Sequence, residues 1–297
     1  MATGFQFPKS DAASLWSDPP FKCHFRFGYY ILPIERPQDL LEMSGMLQLT
    51  FKRYEIKYLL TDEQRSRLGI LMDRYMAPDE WGPSTVCNVY YDTPSHLLVR
   101  RSAEHPLYKE KVRVRSYGVN GADDPVFVEL KKKYDGVVYK RRCTLDVVRA
   151  NQLLAGRGTP KTQIEHEIDF TCRRYGGLVP SVFIAYDREA FYAKDDHEFR
   201  MTFDTHLRSR TARMRLDAGD EGEQYLEDGL NLLEVKVGGA IPLWLVEFFS
   251  GEGIFKVHFS KVGVAYERLC AQQRAARCAR DSKLGWGMTP VPTLSFA

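Results

Sequence analysis

With 297 residues and 44% hydrophobic content, the chain can bury one large core or two small ones, and a net charge of only +3 argues against a general nucleic-acid binder. No run approaches the ~20 apolar residues of a membrane span, and the first thirty residues lack a basic start followed by an apolar segment. Six cysteines without a C-x-x-C pair argue against a structural zinc site and a secreted disulfide framework, so a cytoplasmic setting with reduced thiols is expected.

Residues 1–45 mix proline, aromatic and polar residues without a period, and read as an N-terminal extension of unassigned role; the expected natural start is Met43 or Met46. The main domain is expected over 46–270, with 271–297 as a tail. Phe51 to Tyr58 alternates as a strand, with Arg53, Glu55 and Lys57 on one face and Tyr54, Ile56 and Tyr58 on the other. Thr61-Asp62-Glu63-Gln64 has the form of a capping box, and Leu68, Leu71, Met72 and Tyr75 follow at helical spacing, predicting a helix that ends before Pro78. Val86–Asp92 reads as a strand.

Three successive strands are predicted at Tyr108–Arg115, Val126–Lys133 and Val137–Arg142. Side chains alternate across an extended chain, so Lys109, Lys111, Arg113 and Arg115 share a face, as do Glu129, Lys131 and Lys133, and then Lys140 and Arg142. Between Lys109 and Arg142 there are ten basic residues against five acidic ones, an excess larger than that of the whole chain. The opposite face carries Val112, Val114, Val128, Leu130 and Tyr139, and is apolar enough to pack.

Beyond these, Thr144 is expected to cap a helix through Leu153-Leu154, and Thr162–Tyr175 to form a second. Strands are predicted at Val182–Arg188, Phe199–Asp204 and Leu230–Val237, separated by an acidic loop over Asp217–Glu227. Ile241–Phe249 reads as a packed helix entered through Pro242, and Lys261–Cys270 as the last one. Strands in sequence with helices between them point to an antiparallel α+β architecture. The later strands repeat the charged face: Tyr186 with Arg188; Arg200 with Thr202 and Asp204; Glu234 with Lys236. If all these faces turn inward, the sheet must close into a barrel lined with cations. Like charges on paired strands repel, and a polyanion is the partner that would neutralise them.

Arg forks and Lys point charges together suit a chain of phosphates. Phosphoryl transfer also calls for a divalent cation with oxygen ligands, for which Glu234 in Leu233-Glu234-Val235-Lys236 is the first choice. No G-x-x-x-x-G-K-[ST], G-x-G-x-x-G, H-E-x-x-H or G-x-S-x-G pattern is present, so P-loop, zincin and serine-hydrolase chemistries lack support.

Seven ordered segments carry a family resemblance: Tyr54-Glu55-Ile56-Lys57-Tyr58, Lys111 to Tyr117, Val128 to Lys133, Ala185 to Phe191, Phe203-Asp204-Thr205, Leu233 to Lys236 and Phe259-Ser260-Lys261. Over about 46–269 they resemble the VTC domain, the catalytic domain of the vacuolar transporter chaperone polyphosphate polymerase, in its bacterial stand-alone form, among the triphosphate tunnel enzymes. The resemblance implies a closed, antiparallel, eight-stranded β-tunnel with flanking helices. It implies transfer of the ATP γ-phosphoryl group to a growing polyphosphate chain or pyrophosphate primer, releasing ADP, with Mn²⁺ or Mg²⁺. Arg113, Arg115, Arg188, Arg200 and Lys261 would carry catalysis. Lys57, Lys111, Lys131, Lys140, Tyr186, Lys236 and Ser260 would bind substrate, with Arg141 or Arg142 as alternatives to Lys140, and Glu234 would hold the metal. The family's eukaryotic members work as membrane complexes, which suggests association with a membrane partner protein. Arg53 stands where the superfamily's triphosphatases and adenylyl cyclases resemble Glu-x-Glu-x-Lys, which favours a polymerase over those two; a non-catalytic polyphosphate or nucleotide sensor is the third reading.

Overall fold

The computed structural model describes residues 54–283, apart from 105, 122–123 and 136, together with 26–27 and 30–31. The chain divides into two compact units, residues 1–51 and 52–297. In the first, β1 (Arg26–Phe27) and β2 (Tyr30–Ile31) form a short antiparallel pair. The expected extension, the start at Met43 or Met46 and the strand onset at Phe51–Arg53 otherwise lie outside the described residues.

In the second unit, β3 (Tyr54–Thr61) runs straight into α1 (Asp62–Tyr75). The capping box forms as the sequence suggests: Gln64 N donates to Thr61 Oγ1 at 3.2 Å and Thr61 N donates to Gln64 Oε1 at 3.0 Å. Then come β4 (Met76–Pro78), β5 (Ser84–Asp92), α2 (Leu97–Ala103), and the three basic strands β6 (Tyr108–Tyr117), β7 (Val126–Tyr134) and β8 (Val137–Leu145). Helices α3 (Val147–Leu154) and α4 (Gln163–Arg174) follow. Asp146, not Thr144, caps α3, because Thr144 is still paired with Phe127 in the sheet. The remaining elements are β9 (Val179–Ala193), β10 (Arg200–Arg210), β11 (Glu223–Gln224), β12 (Leu230–Val237), α5 (Leu243–Gly251) and α6 (Lys261–Lys283). The last helix therefore continues well past Cys270. Among the described residues no helix is long and apolar enough to cross a membrane.

One antiparallel sheet of ten strands holds this unit together. Its main path is β3-β12-β10-β9-β5-β6-β7-β8, with β11 beside β10 and β4 beside β9. The expected closed eight-stranded tunnel is corrected here. Eight strands do form the path, but two more branch from it, and among the described residues β3 and β8 share no backbone ladder. The edge of β3 is taken by a different segment: Val257 N donates to Lys57 O at 2.8 Å, and Tyr58 bridges Lys256. This stretch blunts the open edge and carries the chain to Ser260 and Lys261.

Two apolar layers cover the convex face. Val112, Val114, Val128 and Leu130 pack with Leu153, Leu154 and Ile168 of α3 and α4. Tyr58, Leu60, Met201 and Leu233 pack with Leu68 and Met72 of α1 and Leu245 of α5. Each fully buried Leu of this kind contributes about 1.5–3 kcal/mol. Tyr139 has the parity of this face, as expected, but it is exposed and does not pack. The concave face is divided. One half is apolar, with Val86, Ile184, Leu207 and Leu232 covered by Val262 and Ala265 of α6. The other half is charged. A bulge between Thr205 and Arg208, with His206 at φ 47°, marks the change on β10. It turns Leu207 inward and sends Arg208 out to Asp187 and Asp220.

Candidate functional site

The charged half of the concave face gathers side chains from β3, β5, β6, β7, β8, β9, β10 and β12 and from the start of α6. On β6 and β7 the contribution follows alternation: Val112, Val114, Val128 and Leu130 are committed to the convex layer, so Lys111, Arg113, Arg115, Glu129 and Lys131 turn to the concave side.

Two carboxylates organise one region. Asp204, fully buried on β10, accepts a two-pronged contact from Arg188, Nε at 2.6 Å and Nη2 at 2.8 Å, while Lys261 Nζ lies 2.5 Å away. Burial opposes its ionisation, but Arg188 and Lys261 outweigh this and draw its carboxyl down to about 2. On the adjacent β12, Glu234 is 3.2 Å from Lys236 Nζ and 3.9 Å from Lys57 Nζ. There too burial is overcome by Lys236, Lys57 and Lys261, and the carboxyl is held well below its usual range. Lys57 donates to Phe259 O at 2.7 Å, which ties β3 to the segment leading into α6.

Glu129 is the hub of the other region. Only 1% exposed, it stands in register between Arg113 of β6 and Arg142 of β8. Arg113 Nε and Arg142 Nε each donate to it at 2.7 Å, Lys140 Nζ lies at 2.9 Å, and Arg115 Nε at 4.0 Å. Burial would raise its pKa, yet Arg113, Arg115 and Lys140 drive it far below the carboxylate norm. Arg113 also donates to Tyr90 OH at 3.0 Å, and Arg115 to Asn88 Oδ1 at 2.9 Å and Tyr186 OH at 3.0 Å. Between the regions, Lys111 donates to Ser260 Oγ at 2.9 Å, and Lys131 pairs with Glu55.

Tyr186 links the two. Lys261 Nζ lies 4.6 Å, and the Arg188 guanidinium carbon 5.1 Å, from its ring centroid. Burial pushes its hydroxyl up, but Arg115, Arg188 and Lys261 prevail and bring it to about 8. The lysines respond in the opposite sense. Burial, then the like charges of Lys57 and Lys131, brings Lys111 down to about 7; burial chiefly, despite Glu234, brings Lys57 to about 8.

Lys57, Lys111, Arg113, Arg115, Lys131, Lys140, Tyr186, Arg188, Glu234, Lys236, Ser260 and Lys261 thus share the concave face. Arg200, the first residue of β10 and paired with Lys236, has the same parity but is exposed, and its Nε donates to His197 O at 3.2 Å. Arg142 faces Glu129 alongside Lys140, whereas Arg141 points outward to Glu167 at 2.8 Å. Sequence reading left Glu129 and Asp204 without roles, although both sit at charged-face positions. It also left Asn88 and Tyr90 unassigned, although they alternate with the inward Val86 on β5.

Among the described residues no three His, Cys, Asp or Glu side chains cluster as a self-sufficient metal cage. Carboxylate oxygens would nevertheless suit a divalent cation that brings further oxygen ligands with it. Such ions take one or two protein carboxylates and complete their shell with phosphate and water, and Glu55 lies close enough to Glu234 for their charges to interact.

No curated protein matches the sequence. Among solved structures, a candidate adenylate cyclase of Bacillus halodurans is 15% identical with a TM-score of 0.44, covering 70% of this chain and 95% of that one. HpAC1 of Hippeastrum, a candidate adenylyl cyclase with dominant triphosphatase activity, is 16% identical with a TM-score of 0.45, covering 71% and 94%. A protein of Pyrococcus horikoshii OT3 is 11% identical with a TM-score of 0.40, covering 73% and 99%. The sequence signature of the VTC domain matches residues 52–270, nearly the whole of the unit that carries the charged face, and the chain belongs to the VTC domain family.

Proposed function

We propose that the chain is an ATP-dependent polyphosphate polymerase. The observation that carries this reading is the convergence of Lys57, Lys111, Arg113, Arg115, Lys131, Arg188 and Lys261 on one concave face. Their present partners are a few carboxylates and, for Lys111, the Ser260 hydroxyl, which an arriving phosphate would displace. A string of phosphoryl groups matches that spread of cations better than one carboxylate does.

In the reaction, a terminal oxygen of the acceptor polyphosphate bonds to the γ-phosphorus of ATP, and the bond from that phosphorus to the β–γ bridging oxygen breaks, leaving ADP. Arg188 and Lys261 orient and neutralise one end of the phosphate chain, and Arg113 and Arg115 the other. Tyr186, held by Arg115, and Ser260, held by Lys111, offer hydroxyls between them. Arg200 would act from the rim. A divalent cation held by Glu234, with Glu55 beside it, would supply further charge neutralisation on the phosphate oxygens. Catalysis is then alignment plus fixed positive charge, with no protein nucleophile.

The test is product analysis after incubation with γ-labelled ATP and Mn²⁺. A long, acid-labile labelled polymer together with ADP is expected. Labelled orthophosphate alone would identify a triphosphatase, labelled pyrophosphate with unlabelled cyclic AMP a cyclase, and nucleotide binding without turnover a sensor.

A further inference from the structure

Thr202 lies on β10 between the outward-packed Met201 and Phe203, so its side chain shares the concave face with Asp204. It pairs with Glu234 on one side and Ala190 on the other. It is 5% exposed, and among the described residues its hydroxyl has no hydrogen-bond partner. The buried Thr171 hydroxyl, by contrast, donates to Glu167 O at 3.0 Å, while the Tyr225 hydroxyl is buried without a partner as Thr202 is. An orphaned hydroxyl is unfavourable, and one beside a carboxylate would ordinarily donate to it. Thr202 donates to neither Glu234 nor Asp204, both already engaged by lysine and arginine. On the same face Lys57 and Lys236 are paired with Glu234, Arg188 and Lys261 with Asp204, and Lys131 with Glu55. Five cations there share three carboxylates, an excess of positive charge that a further anion would neutralise.

We propose that Thr202 donates its hydroxyl to an oxygen of the phosphoryl group received beside Glu234, making it a substrate-contacting residue. The inference rests on the reading of the concave face as a polyphosphate and nucleotide site. The contact is reached when the arriving phosphate draws the surrounding cations off the carboxylates and takes up the space next to the hydroxyl. Val keeps the shape of Thr and removes only the hydrogen bond, while Ser keeps the hydroxyl.

The experiment is titration of inorganic tripolyphosphate, without metal, into the wild type, Thr202→Val and Thr202→Ser, alongside thermal unfolding of each ligand-free protein. Expected are about tenfold weaker binding for Thr202→Val, near wild-type binding for Thr202→Ser, and an unfolding temperature for Thr202→Val equal to or above the wild type. Equal affinity in wild type and Thr202→Val would overturn the proposal. So would equal weakening by Val and Ser, which would mean that shape alone matters, or a lowered unfolding temperature in Thr202→Val, which would reveal a structural partner for the hydroxyl. Failure of the wild type itself to bind tripolyphosphate would overturn the proposed function, and this inference with it.

Discussion

Lys131 of β7 pairs with Glu55 of β3, although six strand-to-strand steps separate those strands along the sheet. The two ends of an open sheet are thus brought within side-chain reach, and the concave face is closed by an ion pair where the backbone ladder is missing. Both side chains are about a quarter to a third exposed, at 35% and 23%, so solvent screens the pair. A double-mutant cycle with Lys131→Met and Glu55→Gln, followed by urea unfolding, should give a coupling of about 0.5–1 kcal/mol. Zero coupling would mean that this ion pair does not help to hold the two strands together.

Glu129 makes the strongest demand on stability. Removing one member of a buried ionic cluster leaves its partners uncompensated, at a cost of about 3–5 kcal/mol. Glu129→Gln is therefore expected to lower the unfolding temperature sharply, since Arg113, Lys140 and Arg142 lose their common counter-ion. Tripolyphosphate should restore much of that loss, and should stabilise the variant more than it stabilises the wild type. An equal ligand-induced shift in both proteins would show that phosphate never reaches those cations.

The strand faces were legible in the sequence because alternation needs only neighbouring residues: Lys111, Arg113 and Arg115 follow from period two, as do Val112 and Val114 behind them. Strand ends and pairing partners were not. β4 and α2 are too short to show a period, and the β10 bulge that turns Leu207 inward depends on a backbone conformation at His206 that the sequence does not announce. Closure was over-read for a related reason. A charged inner face argues for curvature, but not for which segment takes the edge of β3, and here Lys256–Val257 takes it instead of β8. The roles of Glu129 and Asp204 depend on which cations lie opposite, a property of register. Arg200 had the right parity on its strand but stands too near the strand's end to be enclosed.

The lysines predict proton uptake on binding. Lys111 faces Lys57, Lys109, Lys131 and Arg113, with Ser260 as its hydrogen-bond partner, and its pKa falls to about 7. The unfolded chain holds this proton up to about 10.5, so between pH 7 and 10 the unfolded state binds more protons and this group makes the ligand-free protein more stable as pH rises. Lys57, at about 8, and Tyr186, also about 8, act in the same direction. A bound polyanion favours the protonated form of all three. Calorimetric titration with tripolyphosphate at pH 8, in buffers of different ionisation enthalpy, should therefore show net proton uptake, reduced in Lys111→Met. Buffer-independent heats would refute the coupling.

Glu234 separates substrate binding from turnover. It carries the metal-ligand role in the proposed reaction, yet without phosphate it serves as counter-ion to Lys236 and Lys57. Glu234→Gln keeps the side-chain volume and leaves Asp204 with its own two cations, so the fold should survive. Removing a negative charge from a cationic face should leave metal-free tripolyphosphate affinity unchanged or tighter. Loss of the oxygen ligand should at the same time reduce Mn²⁺-dependent turnover by at least about a hundredfold, equivalent to about 2.7 kcal/mol of barrier. Chelation of metal from the wild type should have the same effect. Turnover that persists in Glu234→Gln but still stops on chelation would place the metal ligand elsewhere, with Glu55 the next carboxylate to replace.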